Sequence, residues 1–316
     1  MLSVIVCSVN PQYSEKLQSN IEATIGNDTK YEFLIYDNRT NCKPIAAVYN
    51  LCARQATGDN LLFIHEDVLF ITQNWGKAIE QKLAEPDCGV IGFAGSIVKP
   101  SVYSGWAINK KYSKTHYWGI YNGRKKFICR NISKTEKFSE VVTLDGLGLF
   151  VKKDVHNKFP FDEKILTGFH CYDVDYTLEI AKHYKNYCCT IDVLHFSNGT
   201  FDIGWIHQTV KMHNQKWNTF LPMMIDGLSF TKQGMRRLND DALWQLFRSC
   251  YKCSFRSGVK SFMIYCGNAP ISVLHFRRIV LGFIKIFWKH TLVRIKKAVI
   301  KRKNYQREDI FPPLNR

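Results

Sequence analysis

The sequence predicts an α/β protein: a mostly parallel sheet with helices on both faces, followed by a basic helical extension. Three observations predict it. Short apolar runs rich in β-branched residues alternate with segments of helical spacing through the first hundred residues. Polar and acidic residues stand at the ends of those runs. Charge is also divided along the chain. Residues 1–227 hold 25 Lys/Arg against 23 Asp/Glu, whereas residues 228–316 hold 19 against 4. The expected organisation is therefore one nearly neutral domain over 1–227 and a basic helical tail over 228–316.

The elements follow in order. Residues 2–9 (LSVIVCSV) read as a buried strand stopped at Asn10-Pro11, and 14–25 have helical spacing. A second strand is expected at 31–36. A helix is expected at 44–57, opened by Pro44 and closed by Gly58, and a third strand at 60–64. A helix over 74–85 and a strand over 88–94 complete a β-α-β-α-β-α-β pattern. Residues 99–140 break the rhythm. Basic and aromatic, they read as a partly irregular excursion over the sheet edge. Strands at 141–151 and 187–196 and helices at 171–183 and 205–217 follow.

With 46% hydrophobic residues in 316, the chain can build a substantial core, which excludes a disordered class. Its eleven cysteines sit mostly in apolar runs and read as buried free thiols of a reducing compartment. Met1 leads straight into a strand without a basic leader. No apolar run reaches the ~20 residues of a membrane-spanning helix. A cytoplasmic protein, peripheral at the inner face of the cell membrane, is the expectation.

In sheets of this kind ligands bind beyond the carboxyl ends of the strands. Asn10, Asp37, Glu66 and Asp67 all fall there. The acids of His65-Glu66-Asp67, at the end of a buried strand, suit a divalent cation held against a diphosphate, or alternatively a solvated turn. Asp173 and Asp175, two apart at a helix start, point to different sides of that helix, so only one need face a cleft. Helix capping accounts for the other. His195 closes an apolar strand and gains interest from the acids nearby.

Taken in order, SVIVCSVN, IYDN, AVYNLCARQATGDNLLFIHEDV, LDGLGLFVKKDV, FHCYDVDYTLEIA and VLHFSNG resemble a family 2 glycosyltransferase with the GT-A fold. The closest likeness is to the subgroup resembling streptomycin-biosynthesis glycosyltransferases. The resemblance runs to about residue 217 and rests on order and spacing rather than on one motif. It implies metal-dependent, inverting hexosyl transfer from a nucleotide-sugar, UDP favoured, to an acceptor hydroxyl in bacterial surface polysaccharide synthesis. It places Val9, Asn10, Asp37, Asn50, His65 and Glu66 around the donor. Asp67 and His195 become ligands of Mn²⁺ or Mg²⁺. Asp173 becomes the catalytic base, and Asp145, Gly146 and Trp118 border the acceptor. His65 and Tyr172 depart from the commoner acidic pattern, which keeps open an inactive nucleotide-sugar-binding or membrane-associated scaffold.

Residues 271–303 read as one basic amphipathic helix. Arg278, Lys285, Lys289, Lys296 and Lys303 share a face, with Phe276, Val280, Phe283 and Phe287 opposite. Such a helix suits an anionic membrane surface, and the same face could instead pack on the body or join protomers. No nucleic-acid motif accompanies the charge.

Overall fold

The computed structural model describes residues 1–288 except 122, 123, 133, 134, 198 and 200. Strands β1 (Leu2–Ser8), β2 (Tyr31–Asp37) and β3 (Asn60–Ile64) are parallel neighbours, connected through helices α1 (Pro11–Thr24) and α2 (Ile45–Gln55). Asn10-Pro11, expected only to stop the strand, also starts the helix. Asn10 accepts a hydrogen bond from the Gln12 amide, and Pro11 fills the first helical position, where no N–H is needed. Then come β4 (Val68–Phe70), α3 (Gly76–Leu83), β5 (Cys88–Gly92), β6 (Ala94–Ser96) and β7 (Val98–Lys99). They are followed by β8 (Ser113–Tyr121), β9 (Arg124–Arg130), β10 (Phe138–Val141), β11 (Thr143–Leu144) and β12 (Gly148–Lys152). The body closes with α4 (Lys153–Lys158), α5 (Tyr172–Ala181), β13 (Lys185–Cys189), β14 (Val193–His195), α6 (Ile203–Met212) and β15 (Met223–Met224).

The main sheet has the order β2-β1-β3-β12-β5-β13-β10. Five strands run one way; β12, inserted antiparallel between β3 and β5, and the edge strand β10 run the other. Alternation along each strand feeds two cores, one on each face. Ile5, Leu61 and Phe63 pack under α2 and α5, while Val4, Val6, Leu62 and Ile64 pack under α1 and α3. Helices thus cover both faces, as expected.

A second sheet, β11-β6-β8-β14-β4 with β9 on β8, stands beyond the ends of the first. It corrects two expectations. The excursion 99–140 is irregular in part, as expected, but it does not simply run over the sheet edge, because β8 is a central strand of this second sheet and forms a hairpin with β9. Its pairing partners β6 and β14 are distant in sequence, so local periodicity does not reveal it. The apolar run 187–196 is two strands rather than one. It breaks at Thr190–Asp192, where β13 leaves the main sheet and β14 enters the second. The same passage from sheet to sheet is made by β3 to β4, β5 to β6 and β11 to β12.

After residue 227 the chain forms α7 (Lys232–Cys250), α8 (Phe255–Asn268) and a helix over 273–288, here α9. α7 packs on the body: Leu238 and Ala242 against Val98 and Ile108, Leu246 and Cys250 against Ile206. The part of the expected 271–303 helix beyond 288 lies outside the described residues. All eleven cysteines are free thiols, including the Cys250-Tyr251-Lys252-Cys253 pair at the end of α7. Among the described residues no helix is long and apolar enough to cross a membrane.

Candidate active site

The segments that pass between the two sheets carry most of the candidate residues. His65-Glu66-Asp67 joins β3 to β4, and Asp145-Gly146-Leu147 joins β11 to β12. The His65 amide donates to the Leu147 carbonyl at 3.1 Å, tying the two crossings together. β14 pairs with β4 so that His195 lies opposite Val68, next to Asp67. Three residues separated by up to 130 positions thus meet: donor atoms of His65, Asp67 and His195 all lie within 4.8 Å of one another.

This trio fits a divalent cation. His195 Nε2 is buried, 3.4 Å from Asp67 Oδ1, and makes no hydrogen bond in the protein. An orphaned buried nitrogen of this kind is costly unless something outside the chain satisfies it. Burial works against the charge on Asp67, but the 3.4 Å polar contact with His195, with His65 behind it, outweighs it and holds the carboxyl below its usual range. One carboxylate and two imidazoles make a donor set that suits Mn²⁺ better than Mg²⁺, which prefers oxygen alone.

His65 and Tyr172, the two departures from the acidic pattern, touch each other. His65 Nε2 lies 2.7 Å from Tyr172 Oη, and that hydroxyl donates to the Gly146 carbonyl at 3.0 Å. Burial keeps the phenol protonated, far above its usual range. Its proton is engaged by Gly146, so its oxygen accepts from His65. His65 therefore carries its proton on Nε2 and leaves the Nδ1 lone pair free. Burial, and then the charge of His195, pushes His65 down to about 4, which keeps the ring neutral. Partners that fix a ligating histidine's tautomer typically contribute ~10–100-fold in metal affinity. Tyr172→Phe is accordingly expected to weaken Mn²⁺ binding about tenfold without unfolding the protein, measured by isothermal titration. Unchanged affinity would remove His65 from the site.

The Gly146 amide donates to Asp173 Oδ2 at 3.0 Å. A Cβ at position 146 would stand 2.2 Å from Tyr172 Oη and 3.1 Å from Asp173 Cβ, so only glycine lets this crossing approach α5. Burial, followed by repulsion from Asp145, pushes the Asp173 carboxyl up to about 7. Asp145 is held by two donors, Trp106 Nε1 at 2.5 Å and the Leu147 amide at 2.9 Å. Asp175, by contrast, is buried on the other side of α5, where Trp217 Nε1 (2.7 Å) and Lys216 Nζ (3.0 Å) bind it. The two aspartates thus divide between the Asp145-Gly146 crossing and a structural anchor.

Sequence reasoning missed Trp106 as a partner of Asp145, and it missed Lys99. That lysine is fully buried, donates to Ser104 Oγ at 2.7 Å, and holds the loop that leads to Trp106. Neither residue belongs to a motif, so no local signal marks them.

The expected donor residues gather at the ends of β1, β2 and β3. Ser8 is in register with Asp37, and Val6 with Ile64. Glu66 Oε2 accepts from Ser8 Oγ (2.7 Å), the Val9 amide (3.2 Å) and the Asn10 amide (3.0 Å), so it holds the turn after β1. Val9 is exposed there. Asp37 is exposed and forked by Arg39, whose hydrogen bonds hold its carboxyl down to about 2. Asn50 is buried, with its amide committed to Phe161 and Glu163, so its link to the cleft is indirect. Trp118, on β8, is in register with Leu194, beside the strand end that carries His195, and leans on Phe127.

No curated protein sequence matches the chain. Solved structures similar to it include the following three. GalNAc-T7 with UDP, GalNAc and Mn²⁺ is 9% identical over 62% of this chain and 44% of that one, with a TM-score of 0.44. This chain thus spans less than half of that one. The mannosyltransferase PcManGT from Pyrobaculum calidifontis, with GDP-Man and Mn²⁺, is 14% identical over 95% and 86%, with a TM-score of 0.46. S. aureus TarS is 13% identical over 85% and 81%, with a TM-score of 0.46. Residues 3–222 match the sequence model of a glycosyltransferase-like family, and the chain belongs to that family.

Proposed function

We propose that the protein transfers a sugar from a nucleotide-sugar to an acceptor hydroxyl with inversion, and that it belongs near the streptomycin-biosynthesis-like subgroup. The observation that carries this reading is the trio His65, Asp67 and His195, with its orphaned Nε2, standing in the same cleft as an Asp173 carboxyl poised at about 7. Asp67, His195 and His65 would hold the cation, Mn²⁺ in preference to Mg²⁺. When bound, the cation supplies Lewis-acid stabilisation of the leaving diphosphate. Asp173 accepts the acceptor hydroxyl's proton as its oxygen attacks the anomeric carbon, and the nucleoside diphosphate departs from the opposite face. A single displacement with a single base inverts that carbon. A carboxylate near 7 suits this work, because it is ionised at working pH yet basic enough to take a proton.

Asp37, Val9, Asn10 and Glu66 would form the nucleoside end, with UDP favoured, and Asn50 would support it from behind. Asp145, Gly146 and Trp118 would border the acceptor. Trp106 and Lys99 would fix that side, since Trp106 holds one Asp145 carboxylate oxygen and Lys99 holds the loop that leads to Trp106. A role in bacterial surface polysaccharide synthesis, at the inner membrane face, completes the proposal.

The test is a panel of UDP, dTDP, GDP and CMP sugars with Mn²⁺ and with chelator, read as binding and as release of nucleoside diphosphate. Metal-dependent turnover of one nucleotide class supports the reading. Binding without turnover on any acceptor offered favours the nucleotide-sugar-binding scaffold instead, and absence of both removes the nucleotide-sugar site.

A further inference from the structure

The α9 helix is turned the opposite way to what its charge spacing suggests. Arg278 and Lys285, on the face expected to be open, point at α7. The Arg278 guanidinium binds Asp240 Oδ2 at 2.5 Å and Asp241 Oδ1 at 2.6 Å. Lys285 Nζ lies 5.5 Å from the Trp244 ring. His275 and Ile286 are buried on the same side, and Gly282 lies so close to α8 that a Cβ there would meet Phe262 at 2.2 Å. The apolar side is consequently outward. Phe276 is 68% exposed, Ile284 53%, Phe283 52%, Val280 46% and Trp288 69%. At 100° per residue these form one broad stripe with Arg277 inside it. Residues 242–288 carry seven Lys/Arg and no Asp/Glu; with Arg278 paired to Asp240 and Asp241 and Lys285 turned to Trp244, the exposed cations include Arg277 in the stripe and Arg256 and Lys260 of α8.

We propose that this outward face of α9, flanked by the basic surface of α8, seats on an anionic lipid bilayer. A bilayer is the occupant that accepts both features at once, taking the aromatic and aliphatic side chains among its acyl chains and the cations among its headgroups. A second copy would bring the same unopposed positive charge against itself. A nucleic acid would answer the charge but not the aliphatic stripe. Each basic residue near an anionic surface strengthens binding about fivefold. Because α7 joins α9 to the body, and Asn109 of the loop carrying Trp106 donates to Asp241 at 3.2 Å, the docked helix is linked to the acceptor side of the cleft. The proposal deepens the membrane-surface part of the functional reading. It does not depend on the transfer chemistry, so donor binding serves as its control.

The test is co-flotation of the full-length protein with phosphatidylcholine vesicles, with and without phosphatidylglycerol, for wild type, Val280→Asp and Phe276→Ser. Unfolding temperature and nucleotide-sugar binding are read alongside. The expected result is at least tenfold stronger partition onto the anionic vesicles. Each variant should lose at least tenfold of it, with melting and donor binding unchanged. If Val280→Asp melts early, Phe276→Ser decides. Wild-type protein that stays off both vesicles, or variants that float like wild type, would overturn the proposal, the second by assigning attachment to 289–316. A dimer that both variants split, with no vesicle binding, would assign the face to a second copy.

Discussion

Asp67→Ala is expected to abolish Mn²⁺-dependent donor binding while leaving the fold intact. Asp67 is the one carboxylate of the trio, and it is the only member that brings negative charge to a cation. Removing it leaves two imidazoles and no anionic ligand, a set that holds Mn²⁺ weakly. Outer-shell substitutions at metal sites already cost ~10–100-fold, so loss of the anionic ligand should exceed about 100-fold. Some stability should be lost, because the contact with His195 outweighs the burial of the carboxylate, so the unfolding temperature is read alongside to show that the variant is folded. The checking measurement is titration of the preferred sugar nucleotide with Mn²⁺ and with chelator. Metal-dependent binding that survives in Asp67→Ala would place the cation elsewhere.

Asp173→Asn is expected to bind donor normally and to lower kcat by ~10²–10⁴, the range that general-base assistance supplies. Asparagine keeps the shape and can still accept the Gly146 amide hydrogen bond, so a loss of turnover reports on proton transfer. The pH profile gives an independent check. A base at about 7 makes kcat/KM fall tenfold per pH unit below that value and level off above it. Stability runs the other way. The folded protein holds this proton more tightly than the unfolded chain, whose carboxyl has its usual 3.8. The group's contribution to stability is therefore fully present below about 4 and is lost as pH rises to about 7. Asp173→Asn should be more stable than wild type at pH 8 by about 1–2 kcal/mol, after discounting for the partial exposure of Asp173, and should lose that advantage at pH 4. Chemical denaturation in chelator at both pH values checks this. Equal pH dependence in the two proteins would mean that Asp173 is ionised like an ordinary surface carboxylate.

The parallel body was legible because its strands are buried on both faces and its connections are local. β1, β3 and α2 are marked by apolar runs and by Asn10-Pro11, Pro44 and Gly58 close to where the elements begin or end. The strand-end polar residues were legible for the same reason: a strand's carboxyl end is visible in the chain, and the topology sends those ends to one edge. The second sheet was not legible. β8 pairs with β6 and β14, which lie tens of residues away, and no local pattern encodes such a choice of partner.

By itself, the sequence determined an α/β body and a basic extension, and it marked out Asp67, Asp173 and His195, the residues now proposed for a cation and a base. Only the tertiary structure decided that His65 and Tyr172 form one hydrogen-bonded pair, that Asp173 meets the Asp145-Gly146 crossing while Asp175 is bound by Trp217 and Lys216, and that α9 turns its apolar side outward. The physical reason is common to all three. Residue type and spacing fix what a side chain can do and which face of its element it occupies. The environment that sets a tautomer, a pKa or an exposure is built by side chains from other elements, and these meet only when the sheets and helices close on one another.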